Sequence, residues 1–513
     1  MSDKPNIIYI LGDDHRAEVL GCMDHPIVKT PNIDCLASEG VLFRNGFCTS
    51  PACTPSRACH YTGQWERKHG VNFNSQSSLA PEAWENSFPM RLKDAGYHIG
   101  WVGKNHVPAG EGGYSSGYFE EVFDYWYGNH GHSGFYPKEQ AGGNREIYNN
   151  ARADTQVEVF EEGALNFLDP QREFIERCSH PLTARPEDKP FCLCVTFNLP
   201  HAYGTGSMEL RPSDDEHYRS HYQELINDIP LPETYVASSN IETPRIPRDV
   251  YNGIYLSSYD YVRSPSALRE RRVREYQTIT GMDNFIGRLR ETLARLQLAD
   301  NTIIVFSTDH GIHHGEHGLG GKCFLYEEDL RIPLVVYDPR LKKEARGQVR
   351  DEIVVVPDLA PTVMQMVGLD VPEAMQGKSL KPLLQGETPE WREEFFSEQL
   401  LDIQNYPRSE CVRTKDWKYI RYFKRTEDPN QTGQFRGTLD NYNDSLTSSL
   451  HGEQPVYEEL FHLAKDPGEV TNLAGVTMHE SKLNELRGRI LFLGREAKED
   501  NCAPMTLSVG NGA

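Results

Sequence analysis

The segment Asn6–Leu11 (NIIYIL) is apolar at every position after the first and stops at Gly12-Asp13-Asp14. A strand with one face in water alternates apolar and polar residues. An uninterrupted apolar run instead reads as a strand buried on both faces, the kind found in mostly parallel sheets covered by helices. The same pattern returns at Ile303–Phe306, shortly before Asp309-His310. Further strands are expected at Val41–Phe43, Ile99–Val102, Phe191–Phe197 and Leu334–Tyr337. One helix is expected to start at a Thr30 cap with Pro31 in its first turn and to stop at Gly40. A longer one should run from about Val273 to Leu298, with Val273, Tyr276, Ile279, Met282, Phe285, Ile286, Leu289, Leu293 and Leu296 on its buried face. Strands alternating with helices give an α/β fold with a large, mostly parallel sheet.

After about Leu384 the texture changes. Short strand-like pieces (Ser409–Thr414, Trp417–Tyr422, Val456–Leu463) stand among polar stretches, and Arg425–Gln454 reads as a long loop. The expected division is an α/β domain over residues 1–384 and a smaller α+β subdomain with an antiparallel sheet over 385–513. A chain of 513 residues exceeds one ordinary domain, in keeping with this division.

Charge narrows the function. Fifty-three basic residues face 75 acidic ones, a net charge of -22. Such a chain is a poor non-specific binder of nucleic acid and repels anions at long range. An anionic ligand would need a local cluster of cations. Eleven cysteines without a disulfide-framework spacing suggest reduced thiols. Cys192 and Cys194 lie in a strand-like run, where packing is the simplest role. No apolar run approaches a membrane span. No signal peptide is visible, so a cytoplasmic location is expected, or a periplasmic or secreted one if a leader was removed. Oligomeric state is not legible.

In open α/β sheets, functional groups gather beyond the carboxyl ends of strands. Asp13, Asp14, Asp309 and His310 all sit at such ends, an oxygen-rich set suited to Ca²⁺, Mg²⁺ or Mn²⁺. In Ser50-Pro51-Ala52-Cys53-Thr54-Pro55-Ser56-Arg57, Thr54 can cap a helix with Pro55 at its first position. Cys53 would then precede a helix N-terminus, a place that favours anions and lowers a thiol's pKa. Arg57, one turn in, can hold either the Cys53 side chain or an anionic substrate. A tyrosine-phosphatase-type loop would need an arginine where Cys59 stands. Gly320-Gly-Lys322-Cys lacks the upstream glycine and the final Ser/Thr of a P-loop.

Cys53-Thr-Pro-Ser-Arg57 resembles the signature of the formylglycine-dependent sulfatases. The likeness extends along Lys4–Gly63, Gly103-Lys104-Asn105-His106, Lys189-Pro-Phe to Pro200-His201, Asp309-His310-Gly311, Gly315-Glu-His-Gly, Lys322, Tyr326-Glu327, Arg331-Ile-Pro333 and Asp466-Pro467 to Asn472-Leu473. The resemblance implies an alkaline-phosphatase-like fold and hydrolysis of a sulfate ester. Asp13, Asp14, Asp309 and His310 would bind the metal, with Cys53, oxidised to formylglycine by a generating enzyme or maturase, beside it. The formylglycine hydrate would be the nucleophile and Arg57 would steady it. Lys104 and Lys322 would bind sulfate oxygens. His106 would hydrogen-bond the nucleophile, and His201 would protonate the leaving alcohol.

Two positions depart from the family pattern. His310 replaces an Asn found in many members; Ca²⁺ stays the expected ion, but Mn²⁺ is open because imidazole suits it better, with Mg²⁺ a further alternative. Tyr203 stands where a second proline often follows Pro-His. His313, His314 and His317 are expected to be structural. For His130 and His132, near Phe135 and Tyr136, a sugar-binding loop and an ordinary surface loop fit equally. The expected substrate is an anionic sulfated small molecule or oligosaccharide. The alternatives are a phosphonate monoester or phosphodiester on the same fold, and a non-catalytic binder of sulfated glycans. Specificity is expected in Gly110–Arg152 and Arg211–Ser264.

Overall fold

The computed structural model describes residues 4–72, 77–139, 144–169, 184–236, 246–247, 259–400, 406–424, 439–499 and 506–508. An eight-stranded sheet forms its centre. The strands are β1 (Asn6–Asp13), β2 (Val41–Phe43), β3 (His98–Asn105), β4 (Tyr125–His130), β5 (Phe191–Pro200), β6 (Thr302–Thr308), β7 (Leu334–Tyr337) and β8 (Gln348–Arg350). Their spatial order is β8-β2-β7-β6-β1-β5-β3-β4. From β6 to β4 every pairing is parallel, and β7 runs antiparallel to both β6 and β2.

All eight residues of β1 are buried, as its apolar run requires. Tyr9 meets Tyr61 and Phe88 on one face of the sheet. Its partner on β5 is Cys194, so Phe197, three residues on, points to the other face and meets Phe285. Each fully buried side chain of this size contributes roughly 1.5–3 kcal/mol.

The flanking helices refine the expected ones. Helix α1 (Pro31–Glu39) stops at Gly40. Thr30 does not cap it; its hydroxyl donates to Asp34 and accepts the Gly21 N–H. The free N–H groups of Asn32 and Ile33 are instead met by Asp283, from another helix. Helix α2 (Cys53–Thr62) starts one residue before Thr54, so Cys53 lies in its first turn rather than before it. Helix α3 spans Gln156–Leu168. Helix α4 runs Pro265–Arg295, opening well before Val273 because Ser264 accepts the Ala267 N–H.

A four-stranded antiparallel sheet follows: β9 (Glu394–Gln399), β10 (Ser409–Thr414), β11 (Trp417–Tyr422) and β12 (Tyr457–His462). One expectation fails here. Within Arg425–Gln454, residues Leu439–Leu450 form a helix, α5, rather than loop; 425–438 fall outside the described residues. Helix α6 (Glu480–Lys498) packs on this sheet. Phe47 stacks on Phe395, and Thr49 O accepts both the Glu398 N–H and the Ser397 hydroxyl, so the small sheet shares a core with the loop leading to α2. The nine described cysteines are all free, Cys192 and Cys194 being packed within β5. No described helix is long and apolar enough to cross a membrane.

Candidate active site

The site lies beyond the carboxyl ends of β1, β3, β5 and β6. Strand β1 delivers Asp13 and then turns sharply: Asp14 has φ 62°, a left-handed conformation rarely held by a non-glycine residue and therefore costly. Register between β1 and β5 breaks between Leu11 and Asp13, so Asp13 faces Pro200 and His201 follows at the same edge. On β3, Gly103 has φ 91°, and a Cβ there would lie 2.2 Å from Thr196 O. Only glycine fits, and Lys104 follows it into the site. Strand β6 leads to Asp309 and His310. The Cys323 N–H donates to Pro51 O at 3.0 Å, pinning the Lys322 loop to the Cys53 loop.

These elements bring all ten residues expected to bind the metal or act on the substrate into one buried cluster. The Cys53 thiol donates to Asp13 Oδ1 at 3.5 Å. Lys322 Nζ donates to Cys53 Sγ at 2.7 Å and to Asp14 Oδ1 at 2.9 Å. Lys104 pairs with Asp13 Oδ2 and lies 3.3 Å from His132 Nδ1. Arg57 donates to Asp309 Oδ2 at 2.9 Å and to Gly12 O at 3.0 Å, with Asp13 Oδ2 at 3.5 Å. It therefore ties β1 to β6 as well as standing one turn from Cys53. Asp309 Oδ1 accepts the N–H groups of Asp14 and His310. His310 Nδ1 is 3.5 Å from Asp14 Oδ1, and His201 Nε2 is 3.6 Å from Asp14 Oδ2. His106 is buried beside Lys104, its ring edge-on to His132 with centroids 4.8 Å apart.

The electrostatics correct one expectation. Burial, followed by the Asp13 charge, pushes the Cys53 thiol up to about 12 despite Lys104 and Lys322. The helix N-terminus does not make it a thiolate, so an unmodified Cys53 is a poor nucleophile. For Asp13, burial works against the charge, but Lys104, His201 and Arg57 hold the carboxyl well below the usual range. Asp14 is pushed up to about 6 by burial and by Asp13, with Lys322 only partly opposing. Burial and Lys322 hold His201 well below its ordinary value, and burial and Lys104 do the same to His106.

The donor set fits a divalent cation. Asp13, Cys53, Asp309 and His310 each offer a ligand atom within 4.8 Å of one another, and Asp13, Asp14, Cys53 and His201 form an overlapping group. Asp14 Oδ2 and His310 Nε2 are buried without a hydrogen-bond partner among the described residues. Buried polar atoms normally have partners; two orphaned acceptors in one carboxylate-rich cluster are what a bound cation would satisfy.

Two further residues join the cluster: His132, for which the sequence left two readings open, and Asn198, which it did not single out. His132 is packed against His201 at 4.5 Å between centroids, and its Nδ1 is 3.0 Å from Asn198 Oδ1. His132 thus lines the cluster, whereas His130 pairs with Glu120 at 2.9 Å. Asn198, a polar residue in an apolar strand, carried a signal that went unread. Residues 140–143, 237–245 and 248–258 of the expected specificity loops fall outside the described residues.

The chain matches the Sulfatase family model over residues 5–369, and a model for the C-terminal part of N-sulphoglucosamine sulphohydrolase over 315–431. It belongs to the sulfatase family. This makes it a sulfuric ester hydrolase, a type I sulfatase of the alkaline-phosphatase-like superfamily. It is 26% identical over 540 residues to an N-acetylglucosamine-6-O-sulfatase of Bacteroides thetaiotaomicron, covering 94% of this chain and 85% of the relative. A structure solved with its substrate D-glucosamine-2-N,6-O-disulfate superposes with a TM-score of 0.66 at 23% identity, covering 97% of this chain and 99% of that one. The phosphonate monoester hydrolase of Agrobacterium radiobacter superposes with a TM-score of 0.69 at 20% identity, covering 98% and 99%. This sulfatase therefore shares its fold with hydrolases of a second anionic ester class.

Proposed function

We propose that this sulfatase removes sulfate from a sulfated carbohydrate, with Cys53 matured to formylglycine by a separate generating enzyme. The observation that carries this reading is Lys322, whose ammonium touches both Cys53 Sγ and Asp14 Oδ1. A cation placed on the nucleophile's own position is placed to hold an oxygen of the group that nucleophile attacks. The carbohydrate assignment draws on the glucosamine sulfatase among the relatives and on the disulfated glucosamine bound by the superposed structure.

Asp13, Asp14, Asp309 and His310, with residue 53, would hold the divalent cation, which supplies Lewis-acid stabilisation of charge on the transferring group. Formylglycine, as its hydrate, supplies the nucleophilic oxygen that the high-pKa thiol cannot. The remaining work falls to the chain's own side chains. Lys104, Lys322 and Arg57 oppose Asp13, Asp14 and Asp309, three formal charges against three. A dication leaves a local surplus of two positive charges, enough to draw a sulfate monoester into a protein that otherwise repels anions. Lys104 and Lys322 then exchange carboxylate contacts for sulfate oxygens. Arg57 holds Asp13 and Asp309 in place.

His201 Nδ1 accepts the Tyr203 N–H at 3.0 Å, so its mobile proton resides on Nε2. Nε2 faces the cluster, where it can pass a proton to the departing alcohol oxygen, worth roughly 10²–10⁴-fold. To act as an acid the ring must be the imidazolium, so Nδ1 takes up a proton and gives up the Tyr203 N–H; the arriving negative charge works against the burial and the Lys322 charge that oppose this form. His132 and Asn198 fix the rings of the His106–His132–His201 row.

Release of inorganic sulfate from sulfated glucosamine and from aryl sulfates tests the reading. Cys53→Ala is expected to lose more than about 10⁴-fold in kcat/KM, in line with the loss of a covalent nucleophile. Undiminished release by this variant would overturn the assignment. Comparing a sulfate and a phosphodiester of one phenol tests the alternative: a large preference for the phosphodiester would transfer the proposal to that ester class.

A further inference from the structure

The stretch after His310 carries a second constellation that the sulfate chemistry does not use. His313, His317 and Glu328 each offer one ligand atom within 4.8 Å of the others, and they share no residue with the catalytic cluster. His313 is fully buried, His317 nearly so, and the Glu328 side chain is 13% exposed. The arrangement is held by backbone. The Gly311 N–H donates to Asp329 O and the Ile312 N–H to Glu328 O, and a Cβ on Gly311 would lie 2.0 Å from Glu328 O. These contacts set His313 against Glu328.

Orientation of the donors goes further than chance packing. His313 Nδ1 is 2.7 Å from Asp329 Oδ1, and the other Asp329 oxygen accepts the Phe324 N–H. The carboxylate thus claims the Nδ1 proton and leaves Nε2 to face inward. A carboxylate behind a ligating histidine is the usual support of a metal-bound imidazole. His313 Nε2 is 3.9 Å from Glu328 Oε2, and neither atom has a hydrogen-bond partner among the described residues. The ring of His317 is stacked on Tyr326 at 4.7 Å, which fixes its plane. The nearby cation, Arg16, is engaged by Glu316 and Glu18. Two carboxylates, Glu328 and Asp329, therefore face two imidazoles, a charge pattern that a dication would complete.

We infer that His313, His317 and Glu328 form a second metal site, selective for an imidazole-preferring dication of the zinc class and separate from the catalytic cation. Two imidazoles and one carboxylate suit Zn²⁺ better than Ca²⁺. Ligand separations in a tetrahedral zinc site are about 3.4 Å for bonds near 2.0–2.1 Å; His313 and Glu328 would close from 3.9 Å and the pairs with His317 from no more than 4.8 Å, within reach of side-chain rotation. Sitting between the Asp309-His310 turn and the Lys322 loop, the ion would brace both segments that carry catalytic groups.

The test is equilibrium dialysis of the full-length protein against Zn²⁺ with Ca²⁺ in excess, followed by elemental analysis. Wild type should retain one equivalent of Zn²⁺, and so should Asp309→Asn, which damages the catalytic cluster. Glu328→Gln, nearly isosteric, and His313→Gln should each weaken retention at least tenfold, with folding checked by circular dichroism. Asp329→Asn should weaken it by roughly 10–100-fold through the orienting carboxylate alone. No retained zinc in wild type, loss of zinc in Asp309→Asn, or full retention in both Glu328→Gln and His313→Gln would each overturn the site.

Discussion

The catalytic cluster and the seam beneath the C-terminal sheet are made of the same parts. Both bury carboxylates against an arginine: Arg57 of α2 against the ends of β1 and β6, and Arg67 against β9 and β10. At the seam, Arg67 donates to Glu398 through Nε and Nη2, to Glu410 Oε1 at 3.0 Å and to Gly494 O at 2.8 Å. Arg421 and Ser449 complete Glu410, and the Arg67 guanidinium lies 4.3 Å from the Phe396 ring centroid. No side-chain atom of Arg67, Glu398, Glu410 or Arg421 is among the buried, unpartnered ones. In the catalytic cluster Asp14 Oδ2, His310 Nε2 and Arg57 Nη1 are. The inner network of Arg67, Glu398, Glu410 and Arg421, which only holds structure, closes on itself, because a half-satisfied one costs more than an apolar core; its unpartnered atoms, Glu66 Oε2, Arg408 Nε and Tyr442 OH, belong to the residues around it. A network that must receive a ligand is left open, and the surrounding fold absorbs that cost.

The seam should respond to mutation with the largest loss of stability. Arg67→Met leaves Glu398 and Glu410 buried without their cation, which is expected to cost about 3–5 kcal/mol in denaturant unfolding. The surviving folded enzyme should keep kcat within about twofold, since Arg67 reaches no reacting group. A hundredfold fall in kcat in a folded variant would mean that the two networks are coupled and the contrast is false.

Metal removal should separate the two networks by a smaller margin. A ligand at 100 times its Kd adds about 2.7 kcal/mol. Chelation should therefore abolish sulfate release and lower the unfolding midpoint of wild type by that order. The same decrement should appear in Arg67→Met, because its catalytic cluster is intact, and shrink in Asp309→Asn. An unchanged wild-type midpoint and full activity after chelation would show that the orphaned acceptors of Asp14 and His310 need no cation.

The division between closed and open networks also sets what the sequence could reveal. Strands β1 and β6 were legible because both faces are buried and the apolar run states this directly, and their acidic ends marked the site. Cys53, Arg57, Lys104, His201 and Lys322 were legible only through motifs, since nothing local shows that residues 53, 104 and 322 converge. The antiparallel insertion of β7 between β6 and β2 is a long-range pairing and leaves no local trace. Helix α5 was missed for a physical reason: much of its buried face is Tyr442, Ser445 and Ser449, and its serines serve Arg408 and Glu410 at the seam. A face that buries hydroxyls against charge shows little apolar period. The sequence named His132 but not its place beside His201, because that depends on where a loop returns, not on its neighbours in sequence.

The most gradual effect, at most about 1.4 kcal/mol per pH unit, belongs to a neutral member of the seam. His69, two residues from Arg67, is buried; its Nδ1 accepts the Val71 N–H at 3.1 Å and its Nε2 is 3.3 Å from Cys59 Sγ. Burial, aided by Lys498, lowers it to about 3. An unfolded histidine titrates near 6.5. Its folded pKa is thus depressed, so the native state resists protonation that the unfolded state accepts. The stability tied to neutral His69 is whole above pH 6.5 and drains away as pH falls toward 3. The slope approaches 1.4 kcal/mol per pH unit. His69→Gln keeps a polar side chain without a titrating group. It should be less stable than wild type at pH 7, yet its unfolding midpoint should fall less steeply between pH 6 and 4. Identical slopes for the two proteins would mean that water reaches His69, and that this part of the seam is as open as the catalytic cluster.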